Sequence, residues 1–453
     1  MATLQKRTGW QEDPNRPGIY TRRPEGLEKH FAAMRDFKLH NTIASCAVVH
    51  TGLPQLEERL RSAWKMLRMT CPSIALNIEH SEHGTIYSYD THDTSQWYAE
   101  TFFVHTGIQG EQLYHRLGDV PRAQFHWLQY DNKHEFYIKL PHDYIDAIGL
   151  MHLMHVFLDL LIGTEGTYQF PPPGSEIAKL SPTFAVASGI MQEDHGELQE
   201  MNQKVVTYEP DVGCLVPAKD YELATGSQRV HRELGKDSTD AIIKAAKRLN
   251  LTVSHVVHTA MALALLKVNP PAGKTTKYTP ILPVDLRDRL PPEFRGPNMP
   301  VATCFIMLHI FLTLPVSAVY TSEQFLSVAR SFKAEYERLQ TLPRLTNLYH
   351  PHADMLETML KGSQKPMKIL PFLSSVGVAD RHLKSSYGKD LMVEDFSIRP
   401  DIMGGSQLLL WTFKSRMHLS INYTAGAYDD EMMEAWMDQV IKTLGSGLDL
   451  DLE

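Results

Sequence analysis

Residues 139–161, KLPHDYIDAIGLMHLMHVFLDLL, constrain the fold of this chain more than any other stretch. They continue a strand-like run, EFYIKL (135–140), and the segment from about Asp146 to Leu161 carries apolar side chains on nearly every face of a helix. Such a helix has no face suited to water, so we expect it to be buried between layers of structure. His142 stands where the strand gives way to the helix, and function is often placed at such junctions.

The length of the chain and the order of its patterns predict two domains. At 453 residues the chain exceeds the usual size of a single hydrophobic core. Each half runs through a strand, a helix, several strands and a helix. We expect an N-terminal lobe over residues 1–185, an interdomain connection over 186–225 and a C-terminal lobe over 226–453.

Composition excludes several classes of partner and compartment. The net charge of −8 argues against nucleic acid, which requires a basic face. The cysteines are scattered without metal-ligand spacing, which fits buried thiols in a reducing compartment; they are Cys46, Cys71, Cys214 and Cys304. The N-terminal sequence has no secretory h-region and no apolar run approaches 18 residues. The expectation is a soluble, cytoplasmic protein without a membrane span, a metal or a prosthetic group.

Local patterns predict several individual elements. FHWLQYD (125–131) and EFYIKL (135–140) are separated by a short polar segment, which indicates a hairpin. Residues 238–268 show helical periodicity in two parts broken near 249–252. Residues 322–340 also predict a helix, whereas WYAETFFVHTG (97–107) reads as β-rich.

The pattern His-x-x-x-Asp is frequent in a chain with 22 histidines, so its spacing decides nothing. His142/Asp146 lies at the strand–helix junction, and His155/Asp159 lies inside the apolar helix. His115/Asp119 lies in a short helix, and His350/Asp354 lies in a predicted loop. Only His142 leaves the end of an extended run, from which a side chain can point into a cleft.

Two interpretations of this junction remain open on the residues alone. Asp146 can be merely the N-cap of the long helix, which leaves His142 as an ordinary turn residue. Alternatively His142 is a reactive base whose loop is fixed by a buried pair between Asp146 and Arg287, at the end of the predicted strand KYTPILPVDLR. Arg287 and its neighbour Arg289 could equally be surface charges.

Several stretches taken in order resemble the chloramphenicol-acetyltransferase-like superfamily, which includes nonribosomal condensation domains and plant and fungal CoA-dependent acyltransferases. They are GIYTRRPEGLEKHFAAM, PHDYIDAIG, STDAIIKAAKRLNLTVSHVVHTAMALALL, LPVDLRDRLPP and MHLSINYTAGAYDDEMMEAWMDQVI. Within the group the chain is most similar to fungal stand-alone O-acyltransferases of secondary metabolism, such as the trichothecene O-acetyltransferases.

The sequence departs from relatives in this group at three points. Pro141 stands where condensation domains carry a first histidine, and Ala147 replaces the common glycine after the motif aspartate. The Asp-Phe-Gly-Trp-Gly loop of the plant enzymes is absent, and SSVGVADRH (374–382) is the nearest stretch. These differences leave the motif pair itself intact.

The resemblance implies two open, mixed-sheet α/β lobes arranged as a V with a solvent tunnel between them. It implies transfer of an acyl group, most simply acetyl, from a CoA thioester to a hydroxyl of a small apolar natural product. His142 is then the general base, Asp146 points away from the substrate and supports the loop, and Arg287 is its salt-bridge partner. Acyl-CoA is then a co-substrate, and the paired lobes imply that a monomer could be complete, with the oligomeric state left open.

The resemblance also suggests further site residues, each of which could instead be an ordinary strand, core or loop residue. Candidates for the oxyanion donor or tunnel wall are Ser406, which we prefer, Ser375 and Trp411. Candidates for the acceptor pocket are Met417, His418 and Tyr423, and for the CoA phosphates Lys361, Lys365 and Lys368.

Two other functions are compatible with the same fold. The donor could be an acyl or peptidyl carrier protein, or the product could be an amide, as in condensation enzymes. A member of the fold could also bind or cyclise a ligand without acyl transfer, because fold does not fix chemistry.

Overall fold

The computed structural model describes residues 8–36, 42–81, 84–163, 170–190, 226–342, 345–362, 370–402 and 405–452, with positions 196 and 200. For residues 36, 81 and 357–362 it describes the backbone alone. The helices are α1 (Leu27–Asp36), α2 (Leu56–Thr70), α3 (Thr94–Thr101), α4 (Gly110–Arg116), α5 (Ala147–Ile162), α6 (Phe184–Ser188), α7 (Lys236–Arg248), α8 (Val253–Val268), α9 (Ser322–Gln340), α10 (Tyr349–Gly362) and α11 (Asp430–Leu448).

The strands assemble into mixed sheets, and the predicted α/β class with mixed sheets is confirmed. They are β1 (Gln11–Glu12), β2 (Ile19–Arg22), β3 (Thr42–Thr51), β4 (Asn77–Ser81), β5 (Gly84–Asp90), β6 (Phe102–Thr106), β7 (Gln124–Tyr130), β8 (Lys133–Pro141), β9 (Gly226–Leu234), β10 (Thr275–Tyr278), β11 (Ile281–Asp285), β12 (Phe305–His309), β13 (Leu312–Pro315), β14 (Phe372–Val378), β15 (Ser386–Tyr387), β16 (Leu391–Pro400), β17 (Ser406–Phe413) and β18 (Arg416–Ala425).

Two larger sheets frame the molecule. A six-stranded sheet has the order β15-β16-β3-β8-β7-β6, and a four-stranded sheet has the order β14-β17-β18-β9. In each sheet an edge pair is parallel, β6 with β7 and β14 with β17, while the other pairs are antiparallel. Three smaller sheets have the orders β1-β2-β5-β4, β10-β13 and β11-β12.

The six-stranded sheet draws strands from both halves of the chain. Strand β16 pairs with β3 along its length, with Leu391 opposite Thr51 and Pro400 opposite Ile43. β16 therefore shares a sheet with β8, the strand that leads into His142, although it lies in the predicted C-terminal lobe. The division into lobes at residues 185 and 226 stays a prediction.

The apolar helix is buried as its sequence predicts. α5 packs against α2 and β3, and its buried side chains belong to a core that also contains Trp64 and Phe125. Asp146 caps its N-terminus, and Gly163 follows its last residue. The strand–helix junction is therefore held between a buried strand and a buried helix.

Most local predictions are confirmed, and two need correction. The hairpin of β7 and β8, the broken pair of α7 and α8, and helix α9 form as expected. The stretch 97–107 starts as helix α3 and only becomes strand β6 at Phe102. His350 and Asp354 lie in helix α10 rather than in a loop; Pro351 does not prevent this because proline is tolerated in a first helical turn.

Within the described ranges, no single helix combines the length and the apolar character that a membrane crossing needs. The pair α7 and α8, bent by 100°, meets those criteria only when its two members are taken together.

Candidate active site

His142 lies at the point where the six-stranded sheet ends. Strand β8 stops at Pro141, opposite Thr42, and His142–Tyr144 form a single 3-10 turn. Ile145 then returns to an extended conformation before Asp146 starts α5. The proline ends the ladder since it has no backbone N–H to donate, and the turn carries the imidazole beyond the C-terminal end of β8, an interior strand of the sheet.

The imidazole of His142 packs against two neighbouring phenylalanines, and the residue is partly exposed. Its centroid lies 4.8 Å from the Phe31 ring of α1 and 6.2 Å from the Phe305 ring of β12. Its Nδ1 is buried and has no hydrogen-bond partner among the described residues. Burial lowers the pKa of His142 below 6.5, against smaller opposing effects of the turn backbone and the Asp146 charge. The ring is therefore neutral at pH 7.

Asp146 and Arg287 form a buried ion pair behind the turn. Arg287 Nη2 donates to Asp146 Oδ1 at 2.7 Å, and Gly149 N donates to the same oxygen at 2.9 Å. Cys304 N donates to Asp146 Oδ2 at 2.8 Å. Asp146 is thus both the N-cap of α5 and the ion-pair partner of Arg287, the two roles considered above as alternatives. Both of its carboxylate oxygens accept hydrogen bonds.

The two charges stabilise one another in a nearly dry setting. Burial raises the pKa of Asp146, but the Arg287 charge and hydrogen bonds outweigh it, so the pKa lies below its ordinary value. Burial lowers the pKa of Arg287, and the charge of Asp146 leads the effects that raise it overall. Arg287 also contacts Asp285 Oδ1 at 3.1 Å and the Ala302 carbonyl at 3.3 Å. The guanidinium therefore connects the start of α5 to the strands of the second half.

A second anchor holds the turn at Asp143 and had no signal in the sequence. Arg35 of α1 donates to Asp143 at 3.2 Å and also pairs with Asp119. Thr303 Oγ1 donates to the Asp143 carbonyl at 3.0 Å. Burial raises the pKa of Asp143 more than Arg35 lowers it. The residue after His142 is therefore fixed independently of Asp146.

An apolar surface continues from the two phenylalanines that contact His142. α1, α10 and β12 supply it, and several of its side chains are only partly buried. Its members are Leu27, Phe31, Met34, Phe305, Met307, Met355 and Leu356. We call it the α1–β12 surface; the sequence offered a surplus of methionines, but nothing that placed these together.

Trp411 and His418 stack on each other rather than on His142. Their ring centroids are 4.9 Å apart with nearly parallel planes, and both side chains are buried. Trp411 Nε1 donates to the Phe396 carbonyl at 3.0 Å, and His418 Nδ1 lies 3.2 Å from His231 Nε2. Their contacts thus connect the two large sheets, and the proposed roles in the tunnel wall and acceptor pocket stay predictions.

The register of β3 gives the distance between this cluster and the His142 turn. Thr42 lies opposite the last residue of β8, next to His142, and Val48 lies opposite Asp395. A strand rises by about 3.3 Å per residue, so Val48 is about 20 Å along β3 from Thr42. His418 Nε2 is 3.7 Å from Asp395, and the cluster is therefore remote from the imidazole of His142.

The other strand candidates have mixed surroundings. Ser406 and Tyr423 lie opposite each other on β17 and β18; Ser406 Oγ is buried without a partner among the described residues. The Tyr423 hydroxyl donates to Asp430 at 2.6 Å. Met417 is a core residue, and Ser375 is exposed with its Oγ 2.8 Å from Ser254 Oγ. Within the described part of the chain no contact joins them to His142, so their roles stay predictions.

The predicted phosphate-binding lysines lie largely beyond the described part of the chain. The backbone of Lys361 belongs to α10, but its side chain is not described. Lys365 and Lys368 lie outside the described residues.

Comparison with known proteins agrees with this architecture. The chain matches no family model. It is 23% identical over 459 residues to O-acetyltransferase pigM of Monascus ruber, covering 96% of this chain and 87% of that protein. It is 27% identical over 329 residues to azaphilone biosynthesis cluster protein M of Aspergillus terreus (strain NIH 2624 / FGSC A1156), covering 69% and 76%. TRI3 trichothecene 15-O-acetyltransferase from Fusarium sporotrichioides superposes with a TM-score of 0.81 at 17% identity, covering 97% of this chain and 98% of that one.

Proposed function

We propose that this chain, which has the chloramphenicol-acetyltransferase-like fold, transfers an acyl group from a CoA thioester to a hydroxyl of a small apolar natural product. Its similarity to O-acetyltransferase pigM and to TRI3 trichothecene 15-O-acetyltransferase supports acyl transfer. The observation that carries the proposal is the setting of His142: a partly exposed residue with a neutral imidazole at the end of β8, in a turn that is fixed through Asp143 and Asp146.

The chemistry assigned to His142 is general base catalysis. The acceptor oxygen attacks the thioester carbon while a ring nitrogen of His142 takes the hydroxyl proton. The tetrahedral intermediate then collapses, the C–S bond breaks, and the departing sulfur takes that proton to give CoA-SH. An imidazole with a lowered pKa is already in the base form at pH 7 and returns the proton readily.

Asp146 and Arg287 act as positioning residues in this proposal. Both oxygens of Asp146 already accept hydrogen bonds, from Gly149 and Arg287 at one oxygen and from Cys304 at the other. The carboxylate is therefore engaged in fixing the turn and has no free role towards substrate. This arrangement supports pre-organisation of the imidazole, which saves reorganisation at the moment of reaction.

The acceptor class follows from the α1–β12 surface. Phe31 and Phe305 contact the imidazole, and Met307 and Met355 extend the apolar area. Methionine side chains adapt to irregular apolar shapes, which suits a terpenoid or polyketide alcohol. The proposal places the acceptor on this surface with its hydroxyl towards His142.

The negative charge that develops on the thioester oxygen needs a hydrogen-bond donor to stabilise it. Ser406 remains the preferred candidate because its buried Oγ has no partner among the described residues. The role of the three lysines towards the CoA phosphates remains a prediction from charge alone.

The test is thiol release from acetyl-CoA in the presence of a panel of hydroxylated apolar metabolites. The variant is His142→Ala, and the control is His115→Ala, which removes an exposed histidine with the same spacing to an aspartate. We expect loss of turnover by about 10²–10⁴-fold in His142→Ala and none in the control. Full activity of His142→Ala would contradict the assignment of His142 as the general base.

A parallel arm distinguishes the donor. The same acceptors are offered an acyl group on a carrier-protein thioester and on free CoA. Turnover with free acetyl-CoA supports the proposal, and turnover with the carrier-bound donor alone would replace it with the carrier-dependent function.

A further inference from the structure

Glu233, Asp395 and His418 bring three potential metal ligands together at a place distinct from the His142 turn. They belong to β9, β16 and β18, so the group joins the four-stranded sheet to the six-stranded sheet. One ligand atom from each lies within 4.8 Å of the other two. Glu233 and Asp395 also line a surface cavity of about 500 Å³, which gives solvent access to the group.

Two atoms of this group are buried and face each other without a hydrogen bond. His418 Nε2 and Asp395 Oδ1 are 3.7 Å apart, and neither has a partner among the described residues. His418 as a whole is fully buried. This separation is too long for a hydrogen bond from a protonated Nε2 of His418 to Asp395 Oδ1. Buried polar atoms are rarely left in this state, so the pair needs an explanation.

The other side of the imidazole is already engaged. His418 Nδ1 lies 3.2 Å from His231 Nε2, and Trp411 stacks on the face of the ring. When Nδ1 carries the proton and donates to His231, Nε2 presents its lone pair to Asp395. A lone pair and a carboxylate oxygen repel one another unless a cation lies between them, and such an outer hydrogen bond is typical of histidines that bind metals.

Charge and geometry specify the class of cation. One imidazole nitrogen and two carboxylates neutralise a divalent ion and form a ligand set common for Zn²⁺. Two ligand atoms at about 2.0–2.2 Å from a tetrahedral zinc ion are about 3.3–3.6 Å apart. The observed distance between His418 Nε2 and Asp395 Oδ1 is 3.7 Å, which is close to this value. Glu233 must move closer, and it is exposed, which leaves it free to do so. Arg416 competes, because its Nη1 lies 3.1 Å from Glu233 Oε1.

We propose that Glu233, Asp395 and His418 bind a divalent transition-metal cation of the Zn²⁺ type. The ion couples β16 to β9 and β18, and so fastens the two large sheets to each other. This site lies about 20 Å along β3 from the His142 turn, and its role is structural rather than catalytic. The inference therefore stands or falls independently of the acyl transfer proposed above.

The experiment titrates metal-free full-length protein with ZnCl₂ in a calorimeter and follows thermal unfolding with and without the ion. We expect one equivalent of Zn²⁺ per chain and a rise in the unfolding temperature, since a ligand that binds only the folded state stabilises it. Glu233→Gln and Asp395→Asn should each weaken binding by at least about tenfold. Both changes preserve side-chain shape.

Glu394→Gln is the matched control, since Glu394 lines the same cavity but binds His50 at 2.6 Å. Its Zn²⁺ affinity should equal that of the unaltered protein. Zn²⁺ binding that is absent, or equally tight in Glu233→Gln, Asp395→Asn and Glu394→Gln, would overturn the proposal. Circular dichroism of the metal-free variants verifies that each one is folded before it is titrated.

Discussion

Arg35 donates to Asp143 at 3.2 Å across 108 positions of the sequence, and the Asp143 side chain is fully buried. The same helix carries Phe31, whose ring packs on His142. α1 therefore contacts the turn at two points. Arg35 pairs with Asp143, the residue after His142, and the ring of Phe31 packs on the imidazole of His142. Since Asp146 is held separately by Arg287, the imidazole is fixed between two anchors from distant parts of the chain.

Arg35→Ala should destabilise the fold, because it leaves the Asp143 carboxylate buried without its cation. Breaking a buried pair by removing one partner costs about 3 kcal/mol or more. Urea unfolding of the full chain measures this loss. Lys29→Ala is the control on the same helix, because its pair with Asp354 is exposed and should contribute less than about 1 kcal/mol. Equal losses in the two variants would contradict the second anchor.

Arg287→Ala should lower kcat through disorder of the turn while leaving the donor KM nearly unchanged. Misplacement of a catalytic group by about 1 Å can cost about 10²-fold in rate, and Arg287 contacts Asp146 rather than the reacting atoms. Steady-state kinetics with each substrate varied separates the two parameters. Arg289→Ala serves as the control because this arginine is exposed and donates to the Gln340 carbonyl rather than to Asp146. Normal turnover in Arg287→Ala would remove the positioning role.

Features that depend on neighbouring residues could be predicted from the sequence. The periodicity of α5, the Asp146 cap and the polar segment between β7 and β8 are all local patterns, and they give the correct elements. The residues alone left open whether Arg287 pairs with Asp146 or is a surface charge, and the resemblance, through the order of its motifs, favoured the pair. Local patterns also misled in two cases: residues 97–107 read as β-rich but begin in helix α3, and His350 and Asp354 read as a loop but lie in helix α10.

Features that depend on tertiary packing could not be predicted. Nothing in the sequence pairs Arg35 with Asp143, or places Phe31 and Phe305 against His142. The insertion of β16 beside β3 is equally hidden, since strand pairing across the chain depends on the packing of whole layers.

The acid limb of the pH–rate profile should have its midpoint below pH 6.5. Burial lowers the pKa of His142 below that value, so the imidazole is neutral at pH 7 and becomes protonated only in more acidic solution. A general base is inactive when protonated, and kcat/KM should fall as the pH falls through the lowered pKa. Measurement of kcat/KM from pH 5 to pH 8 tests this, and an acid limb centred above 6.5 would contradict it.

Met307→Ala should raise the KM for the acceptor while leaving the KM for acetyl-CoA unchanged. Met307 lies on the same face of β12 as Phe305, two residues further along, and is partly buried in the α1–β12 surface. Removal of apolar contact area from a pocket costs about 1–3 kcal/mol of acceptor binding, or roughly 10–200-fold. Met392→Ala is the control, since that side chain is 52% exposed on β16. A rise in KM that is restricted to the acceptor requires that the acceptor alone contacts β12. Equal rises in the KM values of both substrates would place the acceptor elsewhere.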